Sequence, residues 1–271
     1  GTRSVDGGAF NYAAHAVARM NLRVAVVTHL AKEDRRVIES LEELGIDCFV
    51  KYTPHSTLMT LEYPTENVDQ RNLKVTATAG DITAEDVRQL NAKAMVIGTS
   101  LRNEIHLDAI RVLREKNTLL AADVQGFLRV LRDERLEHEP WSEMEAVLSQ
   151  LDILKSDGKE AEFLTGQSDV VKAAAALAEM GPREVLLTHR DGVLIYNSQG
   201  CKQVKFYPKQ INGRSGRGDT CLASYTARRL SASSEEALIW AAALTSLKME
   251  NEGPFKRDIH EVEDLIEQKY R

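Results

Sequence analysis

Cysteine is scarce in this chain of 271 residues: there are three, at positions 48, 201 and 221, and none forms a CxxC pair. Thiols so far apart argue against a disulfide-stapled fold and a thiolate metal site, and they fit a reducing compartment. The seven histidines include no HExxH, so the helix of a zinc hydrolase is not written here. No apolar run approaches the roughly 18 residues of a membrane-spanning helix. The opening GTRSVDGGAF lacks the charged-then-apolar layout of a secretory leader, so a cytoplasmic location is expected. Positive charge is not in surplus: 35 Lys and Arg face 41 Asp and Glu, a net charge of −6. A broad attraction to nucleic acid or to an anionic membrane is therefore not expected. Any anionic ligand has to be held by a local arrangement.

What is present is alternation of two periods. RVAVVT (23–28), AKAMVIG (92–98), TLLAADV (118–124), LDILK (151–155) and EVLLTH (184–189) are short, largely apolar runs that read as buried strands. Helical stretches of ten or more residues separate most of them, at 33–44, 103–116 and 169–180. Gly45 closes the first, and Thr83-Ala-Glu-Asp86 opens a further helix as a cap. Ser142-Glu-Met-Glu145 reads as another capping box. VLIYN is expected to pair with CKQVKFY, and three helices fill 218–230, 234–250 and 258–270. This order predicts an α/β sandwich, with a mostly parallel central sheet between helical layers, as a single domain over 1–271. The runs CFVKYT, TLMTLEY and RNLKVTATA predict a small antiparallel excursion over 48–79.

The chemistry is concentrated in NGRSGRGDTCLASYTARRL (212–230). Glycine permits positive φ and close approach of a ligand to the backbone. The N–H groups at a helix start favour anions, with the helix dipole behind them. Asp219 beside such a hole suits a general base that takes a hydroxyl proton while amides of 216–218 hold phosphoryl charge. A plain glycine-rich helix cap is the other reading of the segment. Three nucleotide and hydrolase motifs fail: position 221 breaks GxGxxG, Arg217 breaks GxSxG, and no GxxxxGK[ST] occurs. Arg217-Gly218-Asp219 as an adhesion tripeptide would need an exposed loop of a secreted protein, whereas here it runs into a helix.

GRGDTCLASY resembles the GxGD signature of the PfkB/ribokinase family of carbohydrate kinases. GGAFNYAAHAVARM, KSDGKEAEFLTG, THRDGVLIY and IWAAALTSLKMENEGPF resemble further family segments in the same order, so the resemblance spans nearly the whole chain. It implies a ribokinase-like fold with a β-lid around 48–79 and an ATP-dependent kinase that phosphorylates a hydroxyl of a small sugar or cyclic polyol. It implies Asp219 as the base, with Gly216, Arg217 and Gly218 forming the anion hole. Glu160 would orient Mg2+ through water, with Asp157 standing where the family carries asparagine. Thr188 and Gly192 would lie near the nucleotide phosphates, and Gly7, Gly8 and Asn11 would face the acceptor. The lid would close to exclude water and offers a surface for a homodimer.

Departures from the pattern are local. Arg217 replaces a small residue in the anion hole, where its charge suits a donor phosphate. Gly213 stands where many members carry aspartate, and the THRDG turn is one residue short. The family's first strand, ahead of the glycine pair, has no counterpart, so a truncated start is expected. DQRNLKVTATAGDI and AADVQGFLR resemble short members of the family, among them the myo-inositol kinases. From them Asp123, Gln125, Arg71 and Lys74 are candidate acceptor contacts. Two alternatives stay open: a catalytically weak sugar or nucleotide sensor, and a nucleoside kinase using Phe10 or Tyr12 as a stacking platform.

Overall fold

In the computed structural model, which describes residues 5–62 and 72–271, the apolar runs of the sequence become strands and the 3.6-residue patterns become helices. The first third contains α1 (Ala9–Ala18), β1 (Ala25–Leu30), α2 (Arg36–Glu42), β2 (Asp47–Tyr52), β3 (Leu58–Glu62), β4 (Asn72–Ala77) and α3 (Ala84–Arg88). The middle contains β5 (Ala94–Ile97), α4 (Leu107–Arg114), β6 (Leu119–Asp123), α5 (Gln125–Leu128), β7 (Arg129–Arg132), β8 (Arg135–His138), α6 (Met144–Leu148), β9 (Ile153–Asp157) and α7 (Gly158–Thr165). The last part contains α8 (Val170–Glu179), β10 (Glu184–Thr188), β11 (Gly192–Asn197), β12 (Gly200–Lys205), α9 (Arg217–Arg229), α10 (Ser234–Met249) and α11 (Ile259–Lys269).

Six strands form one sheet in the order β12-β11-β10-β9-β6-β5. Strands β10, β9, β6 and β5 run parallel, and the β11–β12 hairpin closes one edge antiparallel, as VLIYN and CKQVKFY predict. One face buries Leu120, Ala122 and Leu154 against Ile110 of α4 and Leu177 of α8. The other buries Ala121, Ile153 and Leu186 against Leu222 and Tyr225 of α9 and Leu238 and Ala242 of α10. The result is three layers. Twelve residues of α10 are buried, and such a helix, lined all round by protein, needs no polar stripe.

Several expectations are corrected. CFVKYT is β2, which pairs in parallel with β1 and lies outside the lid. The small antiparallel sheet, where the lid was expected, is β3-β4-β8-β7, so half of it comes from 129–138, outside the expected 48–79. Its hairpin turn is Asp133-Glu134, with both residues at positive φ (46° and 65°). The segment after Ser142 is a five-residue helix whose cap position, Glu143, makes no side-chain cap bond, so the expected box does not form. The box at Thr83 and Asp86 does form. Among the described residues, no helix is long and apolar enough to cross a membrane.

Candidate active site

Parallel strands deliver their last residues to one end of the sheet, and the register decides which of them meet. Asp123 ends β6 opposite Lys155 of β9, and Thr188 ends β10 opposite Asp157. The N-terminus of α9 comes down on this end. Gly216, the residue preceding α9, has φ of 73°, a left-handed conformation that glycine accepts without strain. A Cβ at Gly216 would collide with the Tyr12 ring, so α1 and the loop touch there. A Cβ at Gly218 would lie 2.7 Å from Lys155 Nζ and 3.4 Å from Asp123 Oδ2. The glycines thus serve close approach from both sides. Asp219 follows in the first turn of α9, half-buried.

The charges beneath this loop form a cluster. Lys155 Nζ donates to Asp123 Oδ2 at 2.9 Å, and both side chains are almost fully buried. Asp123 Oδ1 accepts from Gln125 N at 3.0 Å. Burial alone would lower the Lys155 pKa, but Asp123 and Glu160 outweigh it and hold the amine charged. Burial pushes the Asp219 carboxyl up to about 6, and Asp123 adds to this against Lys155, Arg129 and Lys248. Burial likewise raises Glu160 to about 7, with Lys155 opposing. The site therefore holds two carboxyls poised near neutrality around one permanent cation.

Glu160 and Asp157 share a reciprocal capping box at the start of α7: Asp157 Oδ1 accepts from Glu160 N at 2.9 Å, and Glu160 Oε2 accepts from Asp157 N at 2.8 Å. The box occupies one oxygen of each carboxylate. Among the described residues, no cluster of three His, Cys, Asp or Glu side chains could hold a metal ion. Mg2+ is commonly held by one or two carboxylates together with waters and substrate phosphates, and the second oxygens of Asp157 and Glu160 fit that requirement.

Other expected residues fall less simply. Thr188 is 1% exposed, with its hydroxyl 3.5 Å from Ser156 O, so it sits behind the site. Gly192 is explained by the β11–β12 pairing, since a Cβ there would strike Val204 O. The turn between them does approach the loop: burial lowers the His189 pKa, and Arg217 adds to this against Asp191. Asn11 is buried; its Nδ2 donates to Asp6 O at 3.1 Å, and its Oδ1 has no partner. Gly7 and Gly8 are exposed ahead of α1. Asp123 is 2% exposed and committed to Lys155, and Gln125 stands half-buried beside it. Lys74 is held on the lid by Glu62 at 2.7 Å, and Arg71 lies outside the described residues.

Lys155 and Lys248 lie at the site without having been singled out for it. A signal existed for both lysines: each interrupts an apolar run, LDILK and AAALTSLKM, and a lysine in such a run is rarely buried unless paired. Tyr12 was expected only as a stacking platform, whereas its ring fills the space beside Gly216.

The family model described as pfkB family carbohydrate kinase matches residues 3–257. Among solved structures, one described as a pyrophosphate-dependent kinase in the ribokinase family, complexed with a pyrophosphate analog and myo-inositol, is 30% identical. The match covers 97% of this chain and 94% of that one, with a TM-score of 0.89. A second, described as the conversion of a pyrophosphate-dependent myo-inositol-1 kinase into a myo-inositol-3 kinase, is 30% identical over 100% of this chain and 94% of that one, with a TM-score of 0.88. A ribokinase of Arabidopsis thaliana complexed with ribose and ATP is 19% identical over 97% and 88%, with a TM-score of 0.78, which is a likeness of fold. No curated protein matches the chain.

Proposed function

The chain belongs to the pfkB family of carbohydrate kinases, phosphotransferases with an alcohol acceptor, and from that premise we propose that it phosphorylates a hydroxyl of a small cyclic polyol, with myo-inositol the first acceptor to test. The observation that carries the reading is the seat of Asp219, a carboxylate in the first turn of α9 beside the glycine loop, raised to about 6 and still partly exposed. In this reading Asp219 takes the acceptor proton, and the amides of Gly216 and Gly218 receive the phosphoryl charge that develops in transfer, while the expected third amide, Arg217 N, is given to Arg214 O at 3.2 Å. Gly7, Gly8 and Asn11 bound the acceptor side. Asp123 acts through Lys155, whose amine brings positive charge under Gly218. Asp157 and Glu160 would hold Mg2+ through water, and the chemistry it would supply is neutralisation of charge on the donor phosphates.

For the donor, pyrophosphate is the first reading. A donor without an adenosine anchor depends on fixed positive charge for its binding, and Arg217 brings one into the loop itself. The structures similar to this chain at 30–31% identity are described as pyrophosphate-dependent. ATP, the donor expected from the sequence, is the second reading, supported by the position of the His189 turn against Arg217. The reading places the enzyme in the cytoplasm, where its three unpaired cysteines remain thiols. It also includes a homodimer formed through the lid.

The test is to offer the protein pyrophosphate or ATP with Mg2+ across inositols, hexoses, pentoses and nucleosides, following products by phosphorus NMR. Phosphorylated inositol is expected, and Asp219→Asn is expected to slow its formation by about 10²- to 10⁴-fold, the range of general-base contributions. An unaltered rate in Asp219→Asn would sink the assignment of the base. Binding without turnover would favour the sensor, and turnover with nucleosides alone would favour the nucleoside kinase. The latter has less support, since Tyr12 is 4% exposed and lies under Lys248.

A further inference from the structure

One buried charge does not touch the reaction as described. Lys248 is 2% exposed, near the C-terminal end of α10, in a run of buried small and apolar residues. Burying an ammonium is costly unless its three N–H groups are met. Here two of them are met by backbone: Lys248 Nζ donates to Gly213 O at 3.1 Å and to Ser215 O in a short bond. The same nitrogen stands 5.2 Å from the centroid of the Tyr12 ring, a cation–π distance. Tyr12 is the ring that meets Gly216. One ammonium therefore joins α10, the loop and α1.

The orientation of two peptide units follows. A trans peptide is planar, so its C=O and N–H point in opposite directions. Turning the carbonyls of Gly213 and Ser215 toward Lys248 turns the N–H groups of Arg214 and Gly216 away from it. The backbone of the loop is further seated by Asn212 N and Gly213 N, which donate to Met249 O at 2.9 and 3.0 Å. Without the ammonium, two carbonyls would face a buried gap, and flipping either peptide to relieve them would remove an N–H from the donor side.

We propose that Lys248 is a positioning residue, an internal cation that fixes the peptide orientations of loop 213–216 and so aims its N–H groups at the donor phosphate. The inference rests on the phosphotransferase reading for its consequence, but its geometry concerns the loop alone. Asp219 and Glu252 are the acidic groups that face this ammonium.

The test compares wild type with Lys248→Met and Lys248→Ala. Methionine fills much of the lysine volume without charge, but it leaves the carbonyls of Gly213 and Ser215 without their donor, so some stability is lost. Lys248→Met is expected to fold with a lowered unfolding midpoint, to lose about 10²-fold in kcat, as the loss of a positioned oxyanion donor does, and to raise the KM of the donor more than that of the acceptor. Propylammonium is expected to restore part of the rate to Lys248→Ala, whereas propanol is not. Amide hydrogen exchange is expected to quicken in 213–219 and to stay unchanged in the strands. A kcat within about threefold of wild type in Lys248→Met, a difference under 1 kcal/mol in barrier, would overturn the proposal. If wild type itself turns over no donor–acceptor pair, the function reading fails while the exchange measurement still decides this one: equal protection of 213–219 in both proteins overturns it.

Discussion

At the scale of single residues, the site is a matter of which charges are forced together. The place of Asp219, after a glycine loop and in the first turn of a helix, could be read from the sequence. Its tuning could not, since the groups that set it arrive from other strands and helices. Burial and Asp123 raise it, while Lys155, Arg129 and Lys248 oppose. The sign of the consequence is definite. A base works deprotonated, and a carboxyl held at about 6 is deprotonated only above that pH. The rate is therefore expected to be flat at neutral pH and to fall as pH drops through about 6, up to tenfold per unit. Burial raises Glu160 to about 7, in the same region and beside the same Asp123 and Lys155, so the limb belongs to the cluster. A pH–rate profile of kcat/KM measures it, and a profile unchanged down to pH 5 would contradict the seat assigned to Asp219.

At the scale of elements, pattern reveals existence better than pairing. The strands of the main sheet were legible because parallel strands buried on both faces are written as apolar runs. CFVKYT was legible as a strand but not in its partner: nothing local says that β2 lies beside β1 rather than in the lid. The β7–β8 hairpin was illegible for a different reason. RVLRDERLEH is highly charged, and its turn places Asp133 and Glu134 at positive φ where a hairpin usually has asparagine and glycine. The entry to α9 is the opposite case, since glycine at 216 is required both by its φ of 73° and by the Tyr12 ring. Gly216→Ala is expected to cost about 1–3 kcal/mol of stability from backbone strain alone, and more from the displaced ring. Denaturant unfolding would show it, together with a loss of kcat larger than any change in acceptor KM. A variant as stable and active as wild type would mean that the loop has another conformation available.

At the scale of the molecule, the lid raises the question of what covers it. Its register puts Thr60, Lys74, Arg132 and Arg135 on one face, and Met59, Leu61, Leu73, Leu131 and Leu136 on the other. Val75, on the apolar face, is buried, but Leu61 and Leu131 are 38% and 39% exposed. A small sheet with one apolar face needs a covering layer, and the two faces here differ enough to say which one needs it. The proposed homodimer would supply that layer by setting the apolar faces of two lids against each other, an isologous contact in which each lid covers its copy. A dimer built this way would tie oligomeric state to the sheet that, in the proposed function, keeps water from the phosphoryl group. Wild type is accordingly expected to sediment as a dimer, and Leu61→Lys with Leu131→Lys as a monomer of unchanged helix content. The double variant should also release phosphate to water faster, relative to transfer, than the dimer does. A wild type that sediments as a monomer at the concentrations of assay would remove the dimer from the proposal and leave the apolar face to the closed lid itself.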